Sequence, residues 1–356
     1  MVASSAEVIL LPAADPVMLT TARQSRGLAQ SGLARLCGLS QAFISKAEAG
    51  VGELDGERLE RVAEALGYPV SLLSLYSEEH SFVSACSFHR KRSSLPVAKV
   101  RQVHARLDIA RVQAEELLRD LPVADVRLPR IPPGDDGVTG PREIARAVRS
   151  ALGLPPGPVA DLTAAAEDAG VVVVSLDLGH AQGDAVSQWL SGHRPVMLHY
   201  RSAPGDRLRF STAHELAHLV MHVLPVDGQE EEADLFASEL LMPAAQIRGE
   251  FSRLDVPALA KLKARWGVSM AALIRRARDL GEISDYRYRE LNIELSKAGW
   301  RTREPVEVPA ERPRLLADAV AFLRGKGLTD TSIASRGRTD VAGLRAMIGE
   351  QGEPEG

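Results

Sequence analysis

The chain has 356 residues, a net charge of −4, 45% hydrophobic and 25% charged residues. That length suggests two or three domains, and the acidic balance excludes a protein that coats nucleic acid with its whole surface. Aromatic residues make up only 4%, so Leu, Val and Ala fill the cores, and two cysteines, Cys37 and Cys86, are too few for a disulfide framework. The N-terminal MVASSAEVILLPAADP lacks a basic segment and a long apolar run, and no stretch reaches the ~18 apolar residues of a membrane span. A soluble, cytoplasmic protein without membrane contact is expected.

Residues 17–76 read as five short helices: Val17–Arg26, Gln30–Leu36, Gln41–Ala49, Glu57–Leu66 and Ser71–Tyr76. Between the second and third lies Cys37-Gly38-Leu39-Ser40, a tight turn whose serine caps the next helix. This is a helix-turn-helix arrangement. RGLAQSGLARLCGLSQAFISKAEAG resembles the xenobiotic-response-element (Cro/repressor-like) DNA-binding domains. The resemblance implies a recognition helix at Gln41–Lys46, with Gln41, Ala42, Ser45 and Lys46 nearest the groove and Gln30 on the DNA backbone. Gln suits adenine, and Lys46 suits guanine or phosphate. Two features depart from the family: Ala29 stands where a Thr or Ser cap is usual, and Val51-Gly52-Glu53-Leu54-Asp55 replaces a basic segment.

Six Lys/Arg and six Asp/Glu lie between Leu19 and Tyr76, so this domain is neutral and a lone copy can neutralise few phosphates. Binding to a double-stranded operator is therefore expected to need a homodimer. The alternative for this segment is a small bundle used for docking. Ser87–Arg106 holds six Lys/Arg and no acid, including Arg90-Lys91-Arg92, and is a candidate for the missing phosphate contacts. It runs into a helix over Pro96–Leu118, giving a basic helical linker over 77–136. The Pro-rich stretch from Pro122 to Asp136 ends that linker.

Further on, Pro141–Leu152 and Val159–Asp168 read as helices and the Val-rich run after Gly170 as a buried strand. Ala185–Leu190 and Pro195–Tyr200 read as a hairpin. Then comes RLRFSTAHELAHLVMHVLPVDGQEEEADLFASELLMP, which holds His214-Glu215-Leu216-Ala217-His218. Residues four apart on a helix stack on one face, so His214 and His218 present two imidazoles to one point, a spacing that suits Zn2+. Glu215 stands beside them, placed to take a proton from water. Asp206 reads as the N-cap. Twelve residues past His218, Glu230-Glu231-Glu232-Ala233-Asp234 opens a second helix that ends at Leu241-Met242-Pro243. Glu230 and Asp234 share a face, so one can bind metal while the other holds a ligand histidine.

These two helices resemble those of the ImmA/IrrE-type metallopeptidases. The resemblance implies zinc ligands His214, His218 and Glu230, Glu215 as general base and Asp234 behind a ligand. Glu231 is the alternative ligand if the second helix is phased one residue later, and Glu232 is expected to be a bystander. His222 continues the histidine face, and its spacing without a Gly turn reads as a helix-end or substrate-side residue. His199 and Tyr200 are candidates for oxyanion stabilisers, with satisfied strand residues as the stronger alternative.

The expected fold is α+β and mostly helical. A five-helix helix-turn-helix domain (17–76) is followed by the linker, then a zincin-like core with a small sheet and the HExxH helix (137–245). A helical subdomain (246–300) and C-terminal helices with a disordered tail (301–356) complete it. Within 246–300, LKARWGVSMAALIRRARDLG resembles the segment after the zinc helices in family members, and its Trp-Gly-Val-Ser turn leaves packing subdomain and second helix-turn-helix both open. The family resemblance implies a zinc-dependent endopeptidase cleaving a repressor-type protein. The rival is a transcription factor whose peptidase-like domain senses a ligand or dimerises.

Overall fold

The computed structural model describes residues 13–76, 96–134, 139–176, 184–224, 226–301 and 303–350. The described residues fall into two compact units, one within 1–119 and 322–345, the other within 120–321 and 346–356.

In the first unit, α1 (Pro16–Ser25), α2 (Gln30–Cys37), α3 (Gln41–Glu48), α4 (Gly56–Leu66) and α5 (Val70–Leu73) follow the order expected, α5 being one turn at 70–73 rather than reaching Tyr76. Asp15 caps α1 by accepting from the Val17 and Met18 amides, whereas Ala29 gives α2 no side-chain cap. Gly38 ends α2 in the left-handed region (φ 63°), which glycine adopts without a Cβ penalty, and Ser40 then caps α3 through the Phe43 amide. Leu19, Leu33, Ile44, Leu59 and Leu66 close one core. The Arg23–Glu48 ion pair, buried on both sides, ties α1 to α3. The long helix α6 (Val97–Leu118), expected as a linker, instead packs on α1: Ile109 and Val112 share a cluster with Met18 and Leu72, and Arg106 donates to the Ser25 carbonyl at 2.9 Å.

The second unit begins with α7 (Pro141–Ala151) and α8 (Leu162–Asp168). The latter starts three residues later than expected because Asp161 caps it through the Ala164 amide. Strands β1 (Val172–Leu176), β2 (Ala185–Gln188) and β3 (Val196–Tyr200) form a sheet in the order β1-β3-β2. β3 runs parallel to β1 and antiparallel to β2, which therefore lies at an edge. All five residues of β3 are buried, as a central strand with both faces covered requires. Helices α9 (Gly205–Met221) and α10 (Gln229–Leu241) pack together on this sheet and α7, through Leu216, Val220, Ala233, Phe236 and Leu240.

Asp206 is not the N-cap of α9. Pro204 holds that place, and the Asp206 carboxylate lies within the first turn, where the helix dipole favours it, ion-paired with the buried Lys263. After the short α11 (Ala244–Ile247) come α12 (Val256–Trp266), α13 (Met270–Asp279) and α14 (Asp285–Lys297). Gly267 (φ 66°) and the Ser269 cap make the turn between α12 and α13. Leu259, Trp266, Leu273 and Ile274 enter the same core as α9 and α10, so these helices pack around the site.

Residues 303–314 then run as an extended strap over the second unit. Glu304 accepts from the Met270 amide and pairs with Lys263 at 2.7 Å. Glu311 accepts from the Thr163 amide and hydroxyl and pairs with Arg209 of α9. A Cβ on Gly205 would overlap the Val308 carbonyl and Pro309, so only glycine lets the strap cross the start of α9. The chain ends in α15 (Leu315–Gly325), α16 (Asp330–Arg336) and α17 (Val341–Met347). Among the described residues no helix is long and apolar enough to cross a membrane.

Candidate metal centre and nucleic-acid interface

On α9 the four-residue spacing stacks His214 over His218, with Nε2 atoms 3.1 Å apart and rings at 4.8 Å in an edge arrangement. From α10, Glu230 reaches between them, its carboxylate oxygens 3.4 Å from His214 Nε2 and 3.6 Å from His218 Nε2. One donor atom from each residue lies within 4.8 Å of the others. Glu231 is exposed on the outer side of α10 and is not among them.

Behind these donors stand acceptors. Asp234 Oδ1 lies 3.0 Å from His214 Nδ1, and Arg275 in turn approaches Asp234 at 3.6 Å. His222, where α9 ends, places Nδ1 2.9 Å from His218 Nδ1, and its Nε2 lies 3.0 Å from Glu232 Oε2. His222 is a helix-end residue and not a substrate-side one: its side chain is 1% exposed. Glu232, expected to be a bystander, is in contact with the histidine set, because the chain leaving α9 brings His222 back over α10.

The donor set fits zinc on chemical grounds. Two imidazole nitrogens and one carboxylate, with a glutamate alongside, make the His2Glu pattern of catalytic sites that leave a position open. With both Nδ1 atoms engaged from behind, the Nε2 atoms are the ring nitrogens turned toward Glu230.

Glu215 is one residue, about 100° of helix turn, from His214, and this carries its carboxylate toward β2. It is buried, and the Ser187 hydroxyl donates to its Oε2 at 2.8 Å. Ser187 escaped the sequence reading because a serine in a short strand carries no motif; only its position on the edge strand beside the HExxH helix could have singled it out. His199 lies on β3, fully buried. The Thr212 hydroxyl donates to the Leu208 carbonyl and accepts from His199 Nε2 at 3.0 Å. Desolvation pushes the His199 pKa down to about 3, so the ring is neutral. His199 is a buried strand residue bonded only through Nε2, its Nδ1 having no hydrogen-bond partner among the described residues, and Tyr200 is likewise buried at the strand's end.

In the first unit, Gln41, Ala42, Ser45 and Lys46 are all exposed on one face of α3, opposite buried Ile44 and Ala47. This is the face a recognition helix turns to a groove. Gln30 is half-buried, and its amide donates to Glu48 at 2.8 Å, so that N–H is already engaged within the fold. Of the basic segment, Lys99 and Arg101 are exposed on α6 and Arg106 is spent on Ser25, while Arg90-Lys91-Arg92 lie outside the described residues.

The first unit thus carries a helix-turn-helix, and the second carries an HExxH helix beside a small sheet, as a peptidase-like domain would. Residues 19–73 match the helix-turn-helix family, and residues 166–278 match a peptidase family described as the IrrE N-terminal-like domain. The chain is thus the fusion expected from its sequence. No curated protein matches it.

Proposed function

We propose that this chain is a DNA-binding transcriptional regulator whose second unit is a zinc-dependent endopeptidase acting on a repressor-type regulatory protein. The observation that supports the peptidase reading is the convergence of His214, His218 and Glu230 beside the buried Glu215. His214, His218 and Glu230 would hold the zinc, which when bound would supply Lewis acidity toward a carbonyl and a nucleophilic water near neutral pH. Glu215, fixed by Ser187, takes the attacking water's proton on its carboxylate and passes it to the leaving amide nitrogen. An extended substrate segment pairs along the edge strand β2, whose Ser187 already touches the general base. A repressor as substrate rests on the family resemblance. A homodimer reading two half-sites rests on the neutral charge of the helix-turn-helix domain.

The test combines metal analysis with cleavage. Purified chain should bind about one zinc, His214→Ala should lose it, and Glu215→Gln should keep zinc while losing about 10²–10⁴-fold in the cleavage rate of co-encoded repressors. Zinc retention with equal processing by wild type and Glu215→Gln refutes the peptidase.

A further inference from the structure

The two histidines of the candidate metal centre are supported unequally. His214 leans directly on a carboxylate, Asp234, whereas the support of His218 is a second imidazole followed by a carboxylate. The contact between His218 Nδ1 and His222 Nδ1 sets a constraint of its own. Both atoms are nitrogens, so at 2.9 Å one must carry the proton and the other must accept. A neutral imidazole has a single N–H. For His218 to offer a bare Nε2 toward His214 and Glu230, its proton must sit on Nδ1. His222 must then accept on Nδ1 and carry its own proton on Nε2, where Glu232 Oε2 waits at 3.0 Å. With the His218 Nε2 left bare, only one assignment of protons satisfies the run from His218 through His222 to Glu232, and a carboxylate, which only accepts, terminates it.

We infer that His222 and Glu232 are positioning residues that fix His218 as a metal ligand, His222 setting its tautomer and ring plane and Glu232 setting those of His222. This rests on the metal reading above. Burial favours the role: the His222 side chain is 1% exposed, so no water competes for its nitrogens, and Glu232, at 32%, closes the solvent side. Chain geometry favours it too. His222 ends α9 with φ −109° and ψ 82°, outside helical values, while its amide still donates to the His218 carbonyl. The helix thus stops on the residue that braces its second ligand, and three acidic residues of α10, at 230, 232 and 234, serve the two histidines from one helix turn.

The test is zinc affinity of the full chain, measured by competition with a chromophoric chelator, with cobalt(II) absorption as a second readout of ligand geometry. Glu232→Gln should weaken zinc about 10-fold and His222→Ala about 10- to 100-fold, in the range of losses behind a ligand. Because the two act in series, His222→Ala with Glu232→Gln together should bind no more weakly than His222→Ala alone. Glu232→Gln with Asp234→Asn, acting on different histidines, should multiply. Glu231→Gln should match wild type, and metal-free unfolding should be unmoved by Glu232→Gln. The inference is overturned if Glu232→Gln binds zinc like wild type while His214→Ala does not bind it, or if the His222 and Glu232 losses multiply. Wild type that binds no zinc overturns the metal reading and this inference with it.

Discussion

Removing one charge at Glu239 should unseat the helix that carries Glu230. Glu239 lies on α10 at 1% side-chain exposure and is ion-paired with Arg276 of α13, which is 0% exposed. Arg146 of α7 reaches the same carboxylate at 3.0 Å, but its side chain is 54% exposed and has Glu143 as a second partner. Arg276 has less recourse: its Nε donates to the Met242 carbonyl, and its Nη1 has no hydrogen-bond partner among the described residues. Glu239 is thus the acid that neutralises a buried guanidinium. Burial by itself would raise the Glu239 carboxyl, but hydrogen bonds from Arg146 and Arg276 outweigh it and hold the pKa below the ordinary 4.5.

Breaking a buried pair from one side costs about 3–5 kcal/mol, and glutamine keeps an acceptor, so Glu239→Gln should cost about 3 kcal/mol. For a unit of this size that is about 6–12 °C in Tm. The three tryptophans, Trp189, Trp266 and Trp300, all lie in the second unit, so tryptophan fluorescence during urea or thermal unfolding reports this unit alone. Because the folded carboxyl is depressed, its contribution is present above pH 4.5 and lost as pH falls through the folded value. The gap between wild type and variant should therefore close in acid. Glu239→Leu with Arg276→Met should be less damaging than Glu239→Gln alone, since no charge is left buried. A loss below about 1 kcal/mol for Glu239→Gln would refute the reasoning.

Three further outcomes are expected. His199 is held at about 3 against an ordinary 6.5, so between those values only the unfolded state takes the proton. Stability is then complete above pH 6.5 and should fall by about 2 kcal/mol by pH 5, and His199→Gln should remove that fall in fluorescence-monitored unfolding; an equal fall in both proteins would count against it. Ser187→Ala should leave zinc affinity unchanged and slow peptide hydrolysis about 10-fold, the scale of a hydrogen bond to a charged group, while unaltered rates would make Ser187 a packing residue. In salt titrations of DNA binding, Ala at Arg90, Lys91 and Arg92 should weaken every sequence alike and flatten the slope. Gln41→Ala should instead reduce operator discrimination at nearly constant slope; an unmoved slope for the triple variant would make the basic run a solvated segment.

The elements of both units could be read in the sequence wherever local chemistry decided them. Gly38-Leu39-Ser40 and Gly267-Val268-Ser269 carry their turn and cap in three residues, and the stacking of His214 on His218 follows from helix geometry alone. What escaped depends on partners far along the chain. Asp206 looks like a cap until Lys263, 57 residues on, claims its carboxylate within the first turn. Glu232 looks solvated until His222 swings back at the end of α9. Ser187 gains its meaning from Glu215, 28 residues away, and α6 looks like a linker because its apolar contacts with α1 have no short-range signature.

The strap over residues 303–314 separates the boundary of homology from the boundary of folding. The peptidase match ends at 278, yet Lys263, 3% exposed, divides its charge between Asp206 and Glu304, and Arg209 depends on Glu311. A fragment cut after α14 would keep every candidate zinc ligand while taking one of two carboxylates from the buried Lys263 and the Glu311 carboxylate from the buried Arg209, at the root of the helix that carries the histidines. A protease nick ahead of Glu304 would therefore act at a distance, loosening α9 from its N-terminal end without touching a residue of the metal centre.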